Sequence, residues 1–225
     1  MNSESVILSE KVESNIHLRR GLYFAFKRIF DVLVGFFGIL MLIPLAFIIK
    51  AVSIYNRDYK SIFFKQKRIG KNGELFTMYK FRTMVPNADK VLVDLMRTNA
   101  EFRNEYFINK KVKNDPRITK VGRFLRRTSL DEIPQFINVF WGQMSLVGNR
   151  PYLPREKEDM GEFYKSIVVS KPGITGLWQT SGRSNLTFYN RLIIERKYSK
   201  VQSLKVDLEI LFKTIIQVFK KDGAE

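Results

Sequence analysis

Cysteine is absent from this sequence of 225 residues, and histidine occurs only once, at His17. Without cysteine the chain forms no disulfide bond, offers no thiolate nucleophile and builds no cysteine-ligated metal site. His17 lies in a polar stretch with no motif around it, so we interpret it as an ordinary solvated side chain. Any catalysis must therefore use carboxylates, lysine, arginine or hydroxyl groups. Carboxylates favour hard cations such as Mg²⁺ if a metal takes part.

Acidic residues are scarce as well. The chain has 22 Asp and Glu against 39 Lys and Arg, which gives a net charge of +17. This surplus predicts a polyanionic partner, which by charge alone is nucleic acid, an anionic lipid surface or a phosphorylated small molecule. The length allows one hydrophobic core and a membrane element, but not two full catalytic domains.

One long apolar run, IFDVLVGFFGILMLIPLAFII, occupies residues 29–49 between basic flanks. As a continuous helix it would measure ~31 Å, enough to cross the core of a bilayer. Because both flanks are basic, the positive-inside rule identifies no outside end, and Pro44 removes a backbone hydrogen-bond donor. The sequence therefore fits a re-entrant helix with both ends on the cytoplasmic face, and equally a spanning helix with a tolerated proline.

The rest of the chain is predicted to mix short helices with one β-hairpin. Asn72-Gly73 is a type I′ turn signal between two aromatic-rich segments, and an amphipathic helix is predicted from Val91. Segments 143–154 and 171–183 are rich in Gly, Pro, Ser and Asn, which predicts loops. The C-terminal stretch from Leu204 has one apolar helical face and basic residues elsewhere, typical of a helix on a core or on a membrane surface.

The segment GRFLRRTSLDEIPQFINVFWG, residues 122–142, places three arginines just before an adjacent carboxylate pair. The residues are Arg123, Arg126 and Arg127, followed by Asp131 and Glu132. Such a pair should stay ionised and gather phosphate and metal in one place. The pattern Ser129-x-x-Glu132 also fits a capping box, which is the more common structure by spacing alone. The anion-binding site and the capping box are compatible with each other, because a helix N-terminus also binds anions.

Further cations stand beside glycines or turns. Lys80 and Arg82 lie in YKFRTM, Arg150 lies in GQMSLVGNRPYLP, and Arg183 lies in KPGITGLWQTSGRS. Singly, each is more often a solvated base than a ligand. Together they repeat one pattern, a cation where the backbone can approach a phosphate closely.

Four segments in order resemble the bacterial sugar transferase family, the monotopic phosphoglycosyl transferases. They are KRIFDVLVGFFGILMLIPL, FFKQKRIGKNGELFTMYKFRTM, LRRTSLDEIPQFINVFWGQMSLVGNRPYLP and KPGITGLWQTSGR. The resemblance covers residues 20–222, nearly the whole chain. It departs from the family pattern where Ile43 precedes Pro44 in place of serine, and where Asn149 precedes Arg150 in place of proline.

The resemblance implies a two-step reaction with Mg²⁺. Asp131 would attack the β-phosphorus of a UDP-sugar and release UMP, and polyprenyl (undecaprenyl) phosphate would then attack the aspartyl-phosphosugar. Glu132 would hold the metal. The residues that it implies for substrate binding or for support of the carboxylate pair are Lys80, Arg82, Arg126, Arg150, Arg183 and Asp207.

The predicted fold class is α-rich α+β, with a membrane helix before a small domain that carries a β-hairpin and amphipathic surface helices. The chain divides into a polar tail (1–20), a membrane helix segment (21–52) and a cytoplasmic catalytic domain (53–225). The implied location is the bacterial inner membrane, with the catalytic domain on its cytoplasmic face. The expected partners are UDP-sugar, polyprenyl phosphate and anionic lipids, without nucleic acid, and a homodimer is compatible with the sequence.

Two other functions fit parts of the sequence. A membrane-tethered basic protein that binds nucleic acid would explain the charge, although no helix-turn-helix, zinc or RRM signature is present. Binding to DNA that weakens steeply with added salt would identify it. A catalytically inactive scaffold is the other alternative, and the intact Asp131-Glu132 pair argues against it.

Overall fold

The computed structural model describes residues 3–112, 114–182 and 186–220, with side chains from position 20 to position 218 within those ranges. The helices and strands are α1 (Ser3–Tyr55), β1 (Phe63–Ile69), β2 (Leu75–Phe81), α2 (Ala88–Thr98), α3 (Ala100–Asn109), α4 (Lys120–Arg127), α5 (Gln135–Phe140), β3 (Ser145–Val147), α6 (Phe163–Ile167), β4 (Gly173–Thr175), α7 (Leu177–Thr180), α8 (Phe188–Val201) and α9 (Leu204–Lys220). Helices dominate, and the predicted membrane-type helix and β-hairpin are both present.

Helix α1 is 53 residues long and continues without interruption through Pro44. Its stretch Arg20–Tyr55 is long and apolar enough to cross a membrane, and no other helix in the described residues is. The predicted boundaries at residues 20 and 52 do not coincide with the ends of α1. The sequence has no proline or glycine before Gly21, so nothing in the polar N-terminal stretch stops the helix.

One face of α1 packs against the domain along most of the apolar run. Near its start, the Arg28 guanidinium donates to the last carbonyls of α5, 2.8 Å from the oxygens of Val139 and Phe140. Beyond it, Leu42 and Ile49, on either side of Pro44, belong to one buried cluster with residues of β2 and α4. The domain therefore packs along the length of the apolar run and is not attached to α1 only at one end.

Gly38 sets how closely α1 approaches α5. A Cβ atom at this position would lie 2.2 Å from Cγ of Phe136, which is too close for two carbon atoms. We expect Gly38→Ala to lower the free energy of unfolding by ~1–3 kcal/mol, because the aromatic ring must move away.

Gly21→Ala is the matched control, because it lies on the same helix with no atom within 4 Å of an added Cβ. It should leave stability unchanged or raise it by ~0.5–1 kcal/mol, as alanine does in a helix. Thermal unfolding of both variants in the same detergent tests this. Equal melting temperatures for the two variants would contradict the close contact between α1 and α5.

The β-hairpin prediction is confirmed. Strands β1 and β2 pair antiparallel from Phe63↔Phe81 to Ile69↔Leu75. Asn72 (φ 56°) and Gly73 (φ 87°) both adopt left-handed backbone conformations, as a type I′ turn requires. The turn is closed by the amide of Glu74, which donates to the Lys71 carbonyl at 3.1 Å.

The two segments predicted as loops contain a small sheet, so that prediction was wrong for part of them. Strands β3 and β4 pair parallel, with Ser145 opposite Gly173 and Val147 opposite Thr175. Close backbone approach explains the glycines, because a Cβ on Gly173 would lie 2.1 Å from the amide nitrogen of Gly148. The glycine-rich composition predicted irregular structure, whereas in the fold it allows the backbones of two strands to approach each other closely.

The other predicted helices are present with modified limits. The amphipathic stretch from Val91 forms two helices, α2 and α3, separated at Asn99, whose side chain caps α3 by accepting from the Phe102 amide at 2.9 Å. The C-terminal helix is α9. Its apolar residues Leu204 and Phe212 are exposed, as are many apolar side chains of α1.

The core has three parts, of which one lies apart from the long helix. We call this part the distal cluster; it consists of Ile69, Tyr152, Met160, Phe163, Ile167, Phe188 and Leu192. None of its residues comes from α1 or α9, whereas the other two parts both include residues of α1 at their core or margin. The domain thus has one side beside the apolar helices and another side away from them.

Candidate active site

The carboxylate pair lies on a short 3-10 helix, Leu130–Glu132, between α4 and α5. Ser129, just before it, has a left-handed backbone (φ 57°), and its side chain makes no capping hydrogen bond. The capping-box interpretation is therefore wrong. The reason is local: a left-handed Ser129 does not present its hydroxyl to the amides that follow, and the Glu132 side chain has another partner.

That partner is Lys80, near the end of β2. Its Nζ lies 2.6 Å from Oε1 of Glu132 and 3.8 Å from Oδ2 of Asp131. The Asp131 side chain is 10% exposed, whereas that of Glu132 is 35% exposed. One ammonium thus serves both carboxylates, and Glu132 is the more open of the two to solvent.

The two carboxylates differ in proton affinity. Burial raises the pKa of Asp131 to about 6, and the charge of Glu132 adds to this, while Lys80 and Arg126 oppose it. Burial would also raise the pKa of Glu132, but the charge and hydrogen bond of Lys80, the hydrogen bond from Gln135 and the charge of Arg150 together lower that pKa. At neutral pH the pair is mostly ionised, as expected, with Asp131 close to its titration range.

Arg126 stands at the end of α4, on the other side of Asp131. Its Nε donates to Oγ1 of Thr83 at 3.0 Å, and its charge favours the ionised form of Asp131. Gly122 allows this placement, because a Cβ there would lie 1.9 Å from the carbonyl oxygen of Thr83. The predicted neighbourhood of Lys80, Arg126 and the carboxylate pair is therefore present in the structure.

Arg150 is a further cation near Glu132, in addition to Lys80. Its backbone amide donates to Oε1 of Glu195 at 2.8 Å, and its guanidinium carbon lies 5.8 Å from the centre of the Trp178 ring. Its charge helps to lower the pKa of Glu132. This agrees with the predicted position of Arg150 beside the site.

Three further residues of the predicted site are placed elsewhere or not described. Arg82 donates to Oδ2 of Asp58 at 2.7 Å and so braces the chain after α1. Asp207 accepts from Tyr23 at 2.9 Å and Tyr198 at 2.7 Å, and pairs with Lys27, away from the carboxylate pair. Arg183 lies outside the described residues. Their roles in substrate binding stay predictions.

Sequence reasoning missed Arg191. It lies within α8 and is only 3% exposed, with its guanidinium carbon 4.6 Å from the centre of the Trp178 ring. No glycine or turn stands beside Arg191, so the pattern that identified Lys80 and Arg150, a cation next to a glycine or a turn, does not identify it. A buried arginine in a helix has no signature in a single sequence.

The carboxylates also meet the needs of a magnesium ion. In the described residues no group of three or more His, Asp or Glu gathers as a closed metal site. Mg²⁺ does not require one, because it usually keeps several waters and binds one or two carboxylates together with substrate phosphates. Glu132, ionised and one-third exposed, fits that role.

A family model described as bacterial sugar transferase matches residues 22–221. The chain belongs to the bacterial sugar transferase family. Within the family it is 44% identical to a UDP-galactose-lipid carrier transferase of Erwinia amylovora over 198 residues, which is 88% of this chain and 41% of that protein. It is 42% identical to the exopolysaccharide production protein ExoY of Rhizobium meliloti over 202 residues, covering 88% of this chain and 87% of that one.

A third family member is an undecaprenyl-phosphate galactose phosphotransferase of Salmonella typhimurium, 40% identical over 214 residues. The match covers 95% of this chain and 44% of the Salmonella protein. The chain thus spans less than half the length of two of these family members and most of the third.

Proposed function

We propose that this sugar transferase moves a sugar-1-phosphate from a UDP-sugar to undecaprenyl phosphate and releases UMP. The product would begin a polysaccharide or glycoconjugate. Its relatives support the substrates, since one is named for undecaprenyl phosphate and galactose and another for UDP-galactose and a lipid carrier. The observation that carries the proposal is the single ammonium of Lys80 against the buried Asp131 and the open Glu132.

In the proposed first step Asp131 is the nucleophile. One of its carboxylate oxygens bonds to the β-phosphorus of the UDP-sugar, and the bond from that phosphorus to the bridging oxygen breaks. UMP leaves with the bridging oxygen, and the sugar phosphate remains on Asp131 as an acyl phosphate. An anion attacking a diphosphate is repelled unless cations neutralise the charge, and Lys80 and Arg126 are placed to do so.

In the proposed second step a phosphate oxygen of undecaprenyl phosphate attacks the same phosphorus. The bond to Asp131 breaks, the carboxylate is restored, and the undecaprenyl-diphospho-sugar leaves. The Asp131 carboxylate is the leaving group of this step, and the ammonium of Lys80, 3.8 Å from Oδ2 of Asp131, would stabilise its returning charge. Both steps thus use the same neighbours.

Magnesium is proposed as the cofactor. When bound, it would act as a Lewis acid on the phosphate oxygens of the donor. Glu132 is the residue that we assign to hold it, on account of its charge and its partly exposed side chain. Lys80 then keeps both the metal-binding and the nucleophilic carboxylate ionised.

Incubation with a panel of UDP-sugars and undecaprenyl phosphate tests the function. We expect UMP release with one or a few hexose or N-acetylhexosamine donors, and its loss when a chelator removes Mg²⁺. Release of UDP rather than UMP would indicate a different bond cleavage. No release with any donor would refute the proposal.

We also propose that both ends of the apolar segment face the cytoplasm, in the re-entrant arrangement. The domain contacts α1 from Arg28 to Ile49, so a helix crossing the bilayer there would draw α5 and β2 into the membrane with it. The exposed apolar side chains of α1 and α9, among them Phe37 and Phe212, would instead meet lipid from the cytoplasmic face. Anionic lipids would add attraction for the basic chain.

Cysteine labelling tests this topology in a chain that has no other cysteine. Arg20→Cys and Lys60→Cys should both resist an impermeant thiol reagent added to intact cells, because both positions would face the cytoplasm. Both should react after the cells are permeabilised, which controls for access. Labelling of only one of them in intact cells would establish a spanning helix.

A further inference from the structure

Arginine side chains gather around two aromatic rings, those of Trp178 and Tyr152. Arg150 and Arg191 lie 5.8 Å and 4.6 Å from the centre of the same Trp178 ring, and Arg150 lies 6.0 Å from that of Tyr152. Arg68 is close enough to Arg150 for their charges to interact. The sequence scatters these residues over more than 120 positions, and only the fold brings them together.

These arginines repel one another in a buried place. Burial, together with the charge of Arg150, lowers the pKa of Arg68 to about 9 and that of Arg191 to about 10. In water an isolated guanidinium does not titrate in this range. The cluster therefore holds positive charge that the protein itself stabilises poorly.

Hydrogen-bond donors in this cluster also lack acceptors. In the described part of the chain, no partner is present for the buried Nε atoms of Arg68, Arg150 and Arg191, or for the indole Nε1 of Trp178. A buried donor without an acceptor is costly, so several in one place indicate a site that an external acceptor completes. Arg191, with 3% of its surface exposed, is the deepest of them.

The nearby acids only partly offset the burial and mutual repulsion of the arginines. Oε1 of Glu195 accepts from the backbone amide of Arg150 at 2.8 Å, and Oε2 of Glu156 accepts from the amide of Leu153 at 2.7 Å. Burial raises the pKa of Glu195 to about 7, so near neutral pH it is partly uncharged. Over the described residues neither acid forms an ion pair with Arg150 or Arg191.

The cluster is continuous with the active site. Arg150 helps to lower the pKa of Glu132, and Glu132 in turn favours the charged form of Arg68. Tyr152 belongs to the distal cluster, which has no residue from α1 or α9.

We propose that Arg191, together with Arg150 and Arg68, binds the phosphate groups of the donor nucleotide. This inference rests on the proposed function, because it takes the soluble substrate to be a nucleotide diphosphate ester. The Trp178 ring lies beside the guanidinium groups of Arg150 and Arg191, which would present paired donors to phosphate oxygens. Glu195 is a positioning residue, since it holds the backbone of Arg150. The undecaprenyl phosphate would bind outside this cluster.

Binding of UMP to the full-length protein in nanodiscs tests the proposal directly. We expect Arg191→Gln to raise the Kd for UMP by about tenfold to hundredfold, the usual loss for hydrogen bonds to a charged group. Arg191→Lys should recover only part of the affinity, because lysine keeps the charge without the planar donors. Uridine, which carries no phosphate, should bind both forms equally.

Arg196→Gln is the matched control. It removes the same charge from the same helix, but the Arg196 side chain is 38% exposed and pairs with Glu162 at 3.4 Å. Its Kd for UMP should equal that of the wild type. Thermal unfolding checks that each variant folds, and if Arg191→Gln does not, Arg191→Lys decides the question.

Three results would overturn the inference: wild-type protein that does not bind UMP, folded Arg191 variants that bind UMP as tightly as Arg196→Gln, or a higher KM for undecaprenyl phosphate with an unchanged KM for the UDP-sugar. Failure of the proposed function has a different signature. In that case wild-type protein binds UMP with the predicted dependence on Arg191, yet releases no UMP from any UDP-sugar.

Discussion

Asp131→Asn is expected to reduce UMP release by at least ~10³-fold, because an amide cannot replace a carboxylate as the attacking group. The side chains have nearly the same shape, so the fold should persist. Ionised Asp131 is destabilised by burial, which raises its pKa to about 6, and a neutral amide avoids that cost. Steady-state UMP release, with thermal unfolding of the same samples, measures both effects.

Asp94→Asn serves as the control, since Asp94 is an exposed acid on α2. It should retain the activity of the wild type. If Asp131→Asn kept substantial UMP release while folded, the nucleophile would have to be another residue.

Lys80→Gln is expected to lower kcat/KM by about tenfold to hundredfold, the loss usual for a charge-assisted hydrogen bond. It also changes the pH profile in a predictable direction. The reactive form of Asp131 is the carboxylate, so activity should fall as pH drops through about 6. Lys80 lowers this pKa, and its removal should therefore move the midpoint to higher pH.

Lys67→Gln, an exposed position on the neighbouring strand β1, is the matched control and should leave both rate and profile unchanged. Values of kcat/KM measured from about pH 5 to 9 give the midpoint, because this ratio reports the pKa of the free protein. A midpoint that stays in place, or moves to lower pH, in Lys80→Gln would contradict the proposed coupling between Lys80 and Asp131.

The sequence predicted the centre of the site well for a physical reason. Asp131 and Glu132 are adjacent in the chain, and Lys80 ends a strand whose hairpin is specified by Asn72-Gly73. Such features are local, so short motifs encode them. The capping-box prediction also rested on a local pattern, but it was wrong because Ser129 has a left-handed backbone. This conformation cannot be predicted from the residue type.

Features that depend on distant parts of the chain were not predictable in this way. The pairing of β3 with β4 joins segments of three residues each, too short to show an alternating pattern. Arg191 could not be identified from the sequence, because only the packing of α8 places it beside Trp178. Asp207 is an example of the opposite case. It was predicted to lie near Asp131, but in the fold its carboxylate binds Tyr198 and Lys27 of α1 instead.

The covalent intermediate is the central claim, and intact-protein mass spectrometry tests it most directly. Protein mixed with its UDP-sugar and Mg²⁺, without undecaprenyl phosphate, should gain the mass of one phosphosugar and release a matching amount of UMP. Addition of undecaprenyl phosphate should remove the added mass, and Asp131→Asn should never acquire it. Turnover without any mass increase, or the same increase in Asp131→Asn, would contradict the mechanism.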